Sequence, residues 1–339
     1  MDNLAELKQF LATPKKIVIT THQKPDADAL GSSLGMSGYL KKLQHSVKII
    51  TPTDYPSFLF WMKGNSEVLV YDADKTHTEA EKYFMEADLI ISLDFSDLKR
   101  IAPLDKFVEK SPAKRLLLDH HFGNTHFCEF ELWDVHAAAT CELVYDFILL
   151  MGHEKLIDLA IAECIYAGIV TDTGSFKYES TSANLHRKVA NLMDLGLEIN
   201  RIHRLIYDNN TEQRLRFLGF ALSEKLRILP QYKTAYFVLT SEELKRFNSQ
   251  TGDTEGLVNY ALSIAGIRMA TILIERNDGI KMSFRSYGSL AVNEIASKYF
   301  SGGGHKNAAG GKLEISLAAA EQKFLTVLEA YKEVLNEIG

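Results

Sequence analysis

The strongest constraint in the first half of the chain is its alternation of short apolar runs with longer stretches of helical character. Lys16-Ile17-Val18-Ile19-Thr20, Val47-Lys48-Ile49-Ile50, Leu89-Ile90-Ile91-Ser92-Leu93 and Arg115-Leu116-Leu117-Leu118 read as buried strands. Leu30 to Leu43, small and apolar, and Ile157 to Val170, rich in Ala, Ile and Leu, read as packed helices. Strand and helix in alternation predict an α/β fold with a mostly parallel sheet covered on both faces.

A chain of 339 residues is more than one hydrophobic core usually carries. Its character changes around residues 180–230. Thr211 to Ile228 is charged, with Leu215, Leu218, Ala221 and Leu222 at helical spacing, which predicts a connecting helix. Beyond Pro230, Tyr236-Phe237-Val238-Leu239, Ala270 to Glu275 and Ile280 to Phe284 read as strands. Ser241 opens a helix with Glu243 in its first turn, and a last helix is expected from Leu317 to Val334. The expected organisation is an N-terminal parallel-sheet domain over 1–190, a helical linker over 191–229 and a smaller C-terminal α/β domain over 230–339.

Charge and composition exclude some partners. With 38 basic and 44 acidic residues the formal charge is −6, which argues against a broad basic surface for long nucleic acid but leaves room for a local basic cleft. No apolar run approaches a membrane span, so no membrane partner is expected. The start, Met1-Asp2-Asn3-Leu4, lacks a basic-then-apolar export pattern. Cys128, Cys141 and Cys164 form no CxxC pair. Reduced thiols and a cytoplasmic location are the expectation. Cys141 lies at an expected helix start, where a dipole can lower a thiol pKa, against the simpler reading of a buried structural thiol.

The acids and imidazoles fall at strand ends. The first strand closes with Thr21-His22-Gln23-Lys24-Pro25-Asp26-Ala27-Asp28, the third with Leu93-Asp94 and the fourth with Leu118-Asp119-His120-His121, while Asp172 follows Gly168-Ile169-Val170-Thr171. In open parallel sheets the functional crevice lies beyond the carboxyl ends of the strands, so these segments should converge. Taken singly, an Asp at a strand end is most often a turn or helix cap. Jointly, converging carboxylates cannot all stay ionised without a positive group between them. Asp26, Asp28, Asp94 and Asp172 carry −4, which two divalent cations balance, and His22 and His120 can add neutral nitrogens. Oxygen-rich ligation with a minority of imidazole suits Mn²⁺, with Mg²⁺, Co²⁺ or Fe²⁺ as competitors, and no cysteine pair is present for a zinc finger.

Farther on, Gly302-Gly303-Gly304-His305-Lys306-Asn307-Ala308-Ala309-Gly310-Gly311 predicts a backbone nest for an anion, although glycine-rich turns also serve tight packing. With Arg285 at a strand end, it reads as a grip on phosphate. His45, His77, His126, His136, His153, His186 and His203 match no such pattern and read as surface or packing residues. Trp61 and Trp133 likewise read as packing.

The segments His22 to Ser32, Asp119-His120-His121, Thr171 to Phe176 and Gly302 to Gly310 resemble the DHH phosphoesterase superfamily with its DHH-associated C-terminal domain, and within it the bacterial oligoribonuclease and pAp phosphatase group (nano-RNases). The order and spacing match over nearly the whole chain. The resemblance implies that His22, Asp26 and Asp94 hold one Mn²⁺. It implies that Asp28, Asp94, His120 and Asp172 hold the other, with Asp94 bridging. Asp119 would orient His120, and His121 would face the phosphate. Arg285, Gly303, Gly304 and His305 would bind the nucleotide end. Gln23-Lys24 and Ala27 depart from the family's usual residues without replacing a ligand. The implied activity is two-metal hydrolysis of short RNA oligonucleotides, pAp or pApA. The alternatives are a pyrophosphatase or exopolyphosphatase, a RecJ-like single-strand exonuclease and a non-enzymatic nucleotide sensor. A homodimer is among the assemblies the sequence allows.

Overall fold

The computed structural model describes residues 1, 3–250 and 252–337. Asp2 of the opening segment, Thr251, and Ile338 and Gly339 at the end of the 230–339 stretch lie outside the described residues. The chain divides into two compact units, 1–209 and 210–339. The first is built on six strands: β1 (Lys16–Thr21), β2 (Ser46–Thr51), β3 (Leu69–Val70), β4 (Leu89–Leu93), β5 (Lys114–Asp119) and β6 (Phe130–Trp133). All pair in parallel, in the order β3-β2-β1-β4-β5-β6. Every residue of β4 is buried, and all of β1 except Lys16. Helices cover both faces of such a sheet, which is why these strands are continuous apolar runs rather than alternating ones. The four strands expected from sequence are the inner four. The edges β3 and β6, two and four residues long, carry too little apolar signal to be read.

On one side, the helices Ala27–Lys42, Thr140–Met151 and Leu159–Asp172 pack together. The first is buried at every residue from Ala27 to Ser37, so it has no solvent face in that stretch. A Cβ placed on Gly31 would stand 2.4 Å from the Cys164 carbonyl oxygen, and the two helices meet this closely only because glycine is there.

The second unit carries β7 (Leu226–Leu229), β8 (Thr234–Leu239), β9 (Met269–Arg276), β10 (Gly279–Ser286), β11 (Gly303–His305) and β12 (Ala308–Leu313), in the order β11-β12-β10-β9-β8-β7. Only β8 and β9 run parallel. One face packs on helices Val292–Tyr299 and Leu317–Ala330, the other on Glu212–Phe220 and Leu257–Leu262.

The expected linker helix is not continuous. Thr211 caps a helix over Glu212–Phe220, a π-type turn follows over Ala221–Lys225, and the chain enters β7 before reaching Ile228. Phe217 and Ala221 are buried with Leu257 and Ala261 of the second unit, whereas Leu192, Ile202 and Ile206 join the core of the first. The 191–229 stretch is therefore shared between the two units, because its apolar residues are used in packing. The last helix also breaks at Tyr331, giving Leu317–Ala330 and Lys332–Asn336. Among the described residues, no helix is long and apolar enough to cross a membrane.

Candidate metal centre

The strand order reverses between β1 and β4, the point at which open parallel sheets gather functional groups at their carboxyl ends. Thr21 pairs with Leu93 and Leu93 with Leu118, so the residues that follow, His22, Asp94 and Asp119, emerge side by side. Asp94 leaves its strand at φ 69°, a left-handed conformation that costs an L-residue roughly 1–2 kcal/mol. Its amide is tied to the Leu118 carbonyl at 3.1 Å.

Around this turn the acids and imidazoles converge. His22 Nε2 lies 3.3 Å from Asp94 Oδ2 and 3.9 Å from Asp26 Oδ2. His120 Nε2 lies 3.3 Å from Asp172 Oδ2, 3.5 Å from Asp94 Oδ1 and 3.8 Å from Asp28 Oδ2. Donor atoms of His22, Asp26 and Asp94 fall within 4.8 Å of one another, as do those of Asp28, Asp94 and His120, and those of Asp94, Asp119 and His121. Asp94 belongs to every one of these groups.

Five of the six ligand candidates, Asp26, Asp28, Asp94, His22 and His120, are held by a further group. Asp26 does cap its helix, as the simpler reading has it: Oδ1 accepts from the amides of Asp28 and Ala29, while Oδ2 turns toward His22. Asp28 accepts the Thr140 amide at 2.7 Å and the Cys141 amide at 2.8 Å, two unpaired donors at a helix N-terminus. The Thr140 hydroxyl donates to Asp94 at 2.9 Å. His22 Nδ1 is 2.8 Å from the Gln23 carbonyl and His120 Nδ1 is 3.2 Å from that of Ala137. A carbonyl only accepts, so both rings carry a proton on Nδ1 and turn Nε2 toward the carboxylates.

Asp119 departs from the expected role. It bonds His121 Nδ1 at 2.8 Å rather than orienting His120, whose Nδ1 goes to Ala137. Both imidazoles nevertheless turn to the same oxygen: Asp94 Oδ1 lies 3.5 Å from His120 Nε2 and 3.6 Å from His121 Nδ1.

The electrostatics show how much charge this cluster carries. Burial, then the charges of Asp94 and Asp172, holds the Asp28 carboxyl well above the usual range. Burial also pushes Asp94 upward, but its hydrogen bonds with His120 and His22 prevail and hold it well below. Burial raises Asp172 to about 7, with His120 opposing and Asp26 and Asp94 adding to the rise. Asp119 reaches about 7 through burial and the nearby Asp94. Burial disfavours charge on His120 and His22, yet Asp94 and the other acids raise both. Protons thus stand where positive charge is needed. Nε2 atoms aimed at carboxylate oxygens in a buried, oxygen-rich pocket are the donor set of a hard divalent cation.

The glycine-rich segment of the second unit forms a hairpin. Gly303–His305 is an edge strand paired with β12, and the Gly302 amide donates to the Ala296 carbonyl. A Cβ on Gly302 would stand 1.9 Å from the Gly310 oxygen, and Gly304, at φ 141°, would meet the Ala308 oxygen at 2.5 Å. Close packing of the hairpin accounts for these two glycines. Gly303 is exposed and open, and His305 and Arg285 are half-buried. Arg285 donates to the Phe284 carbonyl at 3.0 Å.

Several contributors escape the motif reading. Gly168 is one: a Cβ there would stand 2.3 Å from Cys141 Sγ and 2.6 Å from Asp28 Oδ1, so a bare backbone clears the space for Asp28. Thr140 is another. Arg100 follows Asp94 in a short 3₁₀ turn, its carbonyl accepts the Gln23 amide at 2.9 Å, and its charge is felt at His22 and Asp119. Cys141 is buried, and burial followed by Asp28 pushes its thiol well up, which leaves the structural reading. The signal for Gly168 and Thr140 was their placement beside the aspartates, which only the folded chain shows.

Residues 16–169 match the N-terminal domain of the DHH family, and residues 232–337 match the DHHA1 domain. The chain belongs to the DHH family. Within that family it is 29% identical to the bifunctional oligoribonuclease and PAP phosphatase NrnA of Thermus thermophilus, over 99% of this chain and 94% of that protein. It is 27% identical to the Bacillus subtilis protein of the same name, over 91% and 92% respectively. The crystal structure of an exopolyphosphatase-related protein from Bacteroides fragilis superposes with a TM-score of 0.94 at 37% identity, covering 99% of this DHH chain and 98% of that one.

Proposed function

We propose that this DHH chain is a two-metal phosphoesterase that hydrolyses short RNA oligonucleotides, pApA or pAp to mononucleotides, releasing phosphate in the case of pAp. The convergence of His22, Asp26, Asp28, Asp94, His120 and Asp172 at the switch point carries this reading. Near-full-length similarity to proteins named for both activities supports it. Two divalent cations there, Mn²⁺ by the donor set, would neutralise the carboxylates, polarise phosphoryl oxygens and supply a water nucleophile at neutral pH.

The chain's own residues do the positioning. Asp94 faces both imidazoles and serves both halves of the cluster. The Thr140 and Cys141 amides fix Asp28, and carbonyls fix the tautomers of His22 and His120. His121, anchored by Asp119, is the group assigned to the leaving oxygen, where its Nε2 would exchange the proton. Arg285, Gly303, Gly304 and His305 of the second unit are assigned to the nucleotide end. A cytoplasmic location accompanies the reading.

A panel of 5′-phosphorylated ApA, pentameric RNA, pAp, cyclic di-AMP and pyrophosphate, run with Mn²⁺ and with Mg²⁺, tests it. Release of AMP from the dinucleotide and of phosphate from pAp is expected. Preferential hydrolysis of pyrophosphate would move the assignment to the pyrophosphatase class.

A further inference from the structure

Trp133 does more than pack. It ends β6, the edge strand, directly beside Asp119 in register. Its indole N–H donates to the His121 carbonyl at 2.7 Å, and the His126 ring meets it edge-on with centroids 6.0 Å apart. Glu131 holds His126 at 2.9 Å and Asn124 at 2.9 Å, which pins the loop that follows the Asp-His-His motif. Two contacts therefore fix an indole that remains 38% exposed, and Phe122, next to the same carbonyl, is 56% exposed. Trp61 makes the contrast: its indole nitrogen is buried and Arg201 lies over its ring. A rigid, wet aromatic face beside a phosphate-handling centre suits a planar π-system attached to that phosphate.

We propose that Trp133, with Phe122 alongside, is a stacking platform for the nucleobase of the nucleotide being cleaved. The inference rests on the phosphoesterase reading and specifies how that site holds its substrate. Stacking is indifferent to base identity, so the platform favours nucleotides over base-free phosphoesters without selecting a sequence.

The test uses the full-length chain with Mn²⁺ and the Trp61→Phe background, in which Trp133 is the single remaining tryptophan. AMP should quench its emission saturably, and ribose 5-phosphate should not. On 5′-phosphorylated ApA, Trp133→Leu should raise KM roughly five- to hundredfold with kcat nearly unchanged, and Trp133→Phe should recover most of the loss. Absence of quenching, equal behaviour of Leu and Phe, or a loss confined to kcat would overturn the platform. The last of these would show the indole acting only through the His121 carbonyl. If the unmodified chain cleaved none of these nucleotides, the phosphoesterase reading would fall instead, and AMP quenching alone would decide the platform.

Discussion

Two sets of acids, each with a buried member, meet one helix, Thr140–Met151, and they are neutralised in opposite ways. At its N-terminus the amides of Thr140 and Cys141 hold Asp28, which belongs to a cluster with Asp26, Asp94 and Asp172 whose near neighbours are imidazoles. Farther along, Glu142 and Asp146 share Lys188, whose ammonium lies 2.7 Å from each. Among the described residues, no lysine or arginine forms an ion pair with the first set. The chain therefore closes one acidic group with its own cation and leaves the other for a cation that exchanges. A fixed ammonium at Asp94 would bring a single positive charge to four carboxylates and would occupy the place where chemistry needs an open coordination position.

The comparison breaks most severely at Asp94. Asp94→Asn removes the carboxylate shared by the His22–Asp26, Asp28–His120 and Asp119–His121 groups, and turnover should fall more than about a thousandfold. Mn²⁺ at a hundred times its Kd should stabilise the unmodified protein by about 2.7 kcal/mol, read as a rise in Tm that chelator reverses. Most of that rise should vanish in the variant. Near-normal turnover with an intact Mn²⁺ shift would remove Asp94 from the centre.

Next comes Gly168→Ala. The added methyl meets Cys141 Sγ and Asp28 at distances no real contact shows, so the helix must shift. Overpacking of this kind costs about 1–3 kcal/mol. Because the displacement falls on Asp28, turnover should drop about a hundredfold in protein that is still folded. Gly35→Ala is the control in the same helix pack: its nearest neighbour is the Ile165 side chain at 3.3 Å, which can yield. Equal activity losses in the two variants would show that general packing, not the seat of Asp28, is what the glycine protects.

These residues also mark what could be read before folding. The inner strands announced themselves because burial on both faces makes them uniformly apolar, and His22, Asp94 and Asp119 followed because a parallel sheet gathers its carboxyl ends. Position along the chain also suggested Asp172. The Asp119–His121 pairing depends on how the chain turns after β5, and Gly168 and Thr140 acquire meaning only when two helices cross beside Asp28. At Gly302 and Gly304 the motif was visible in the sequence, but its local cause was not, because a hairpin's close approach uses glycine as readily as an anion nest does. The 191–229 stretch makes a related point. Helical spacing at Leu215 and Leu218 is real, yet periodicity does not say which core a helix joins.

The Lys188 group sharpens the contrast from the other side. Lys188→Met keeps much of the buried stem and deletes the charge, leaving Glu142 and Asp146 unpaired at a loss of about 3 kcal/mol at pH 7. In the native chain, burial lowers the Lys188 pKa, but hydrogen bonds to Asp146 and Glu142 outweigh it and hold the group above 10.5. A base raised on folding contributes fully below its unfolded value and loses that contribution only as pH climbs through the folded one. The ammonium's contribution should therefore be flat across neutral pH. Asp146 supplies the pH dependence. Burial already raises Asp146, with Lys188 opposing, and removing Lys188 raises it further. An acid raised on folding carries its stability below the unfolded pKa and loses it as pH rises through the folded one. Urea unfolding should then show the variant's deficit shrinking as pH falls from 7 toward about 4, the ordinary carboxylate range. The Mn²⁺-induced rise in Tm should be the same in both proteins, because this group already contains its counter-charge. A deficit that stays constant on acidification would trace the loss to packing alone. A diminished Mn²⁺ response would mean that the two acidic sets on the Thr140–Met151 helix are one coupled system.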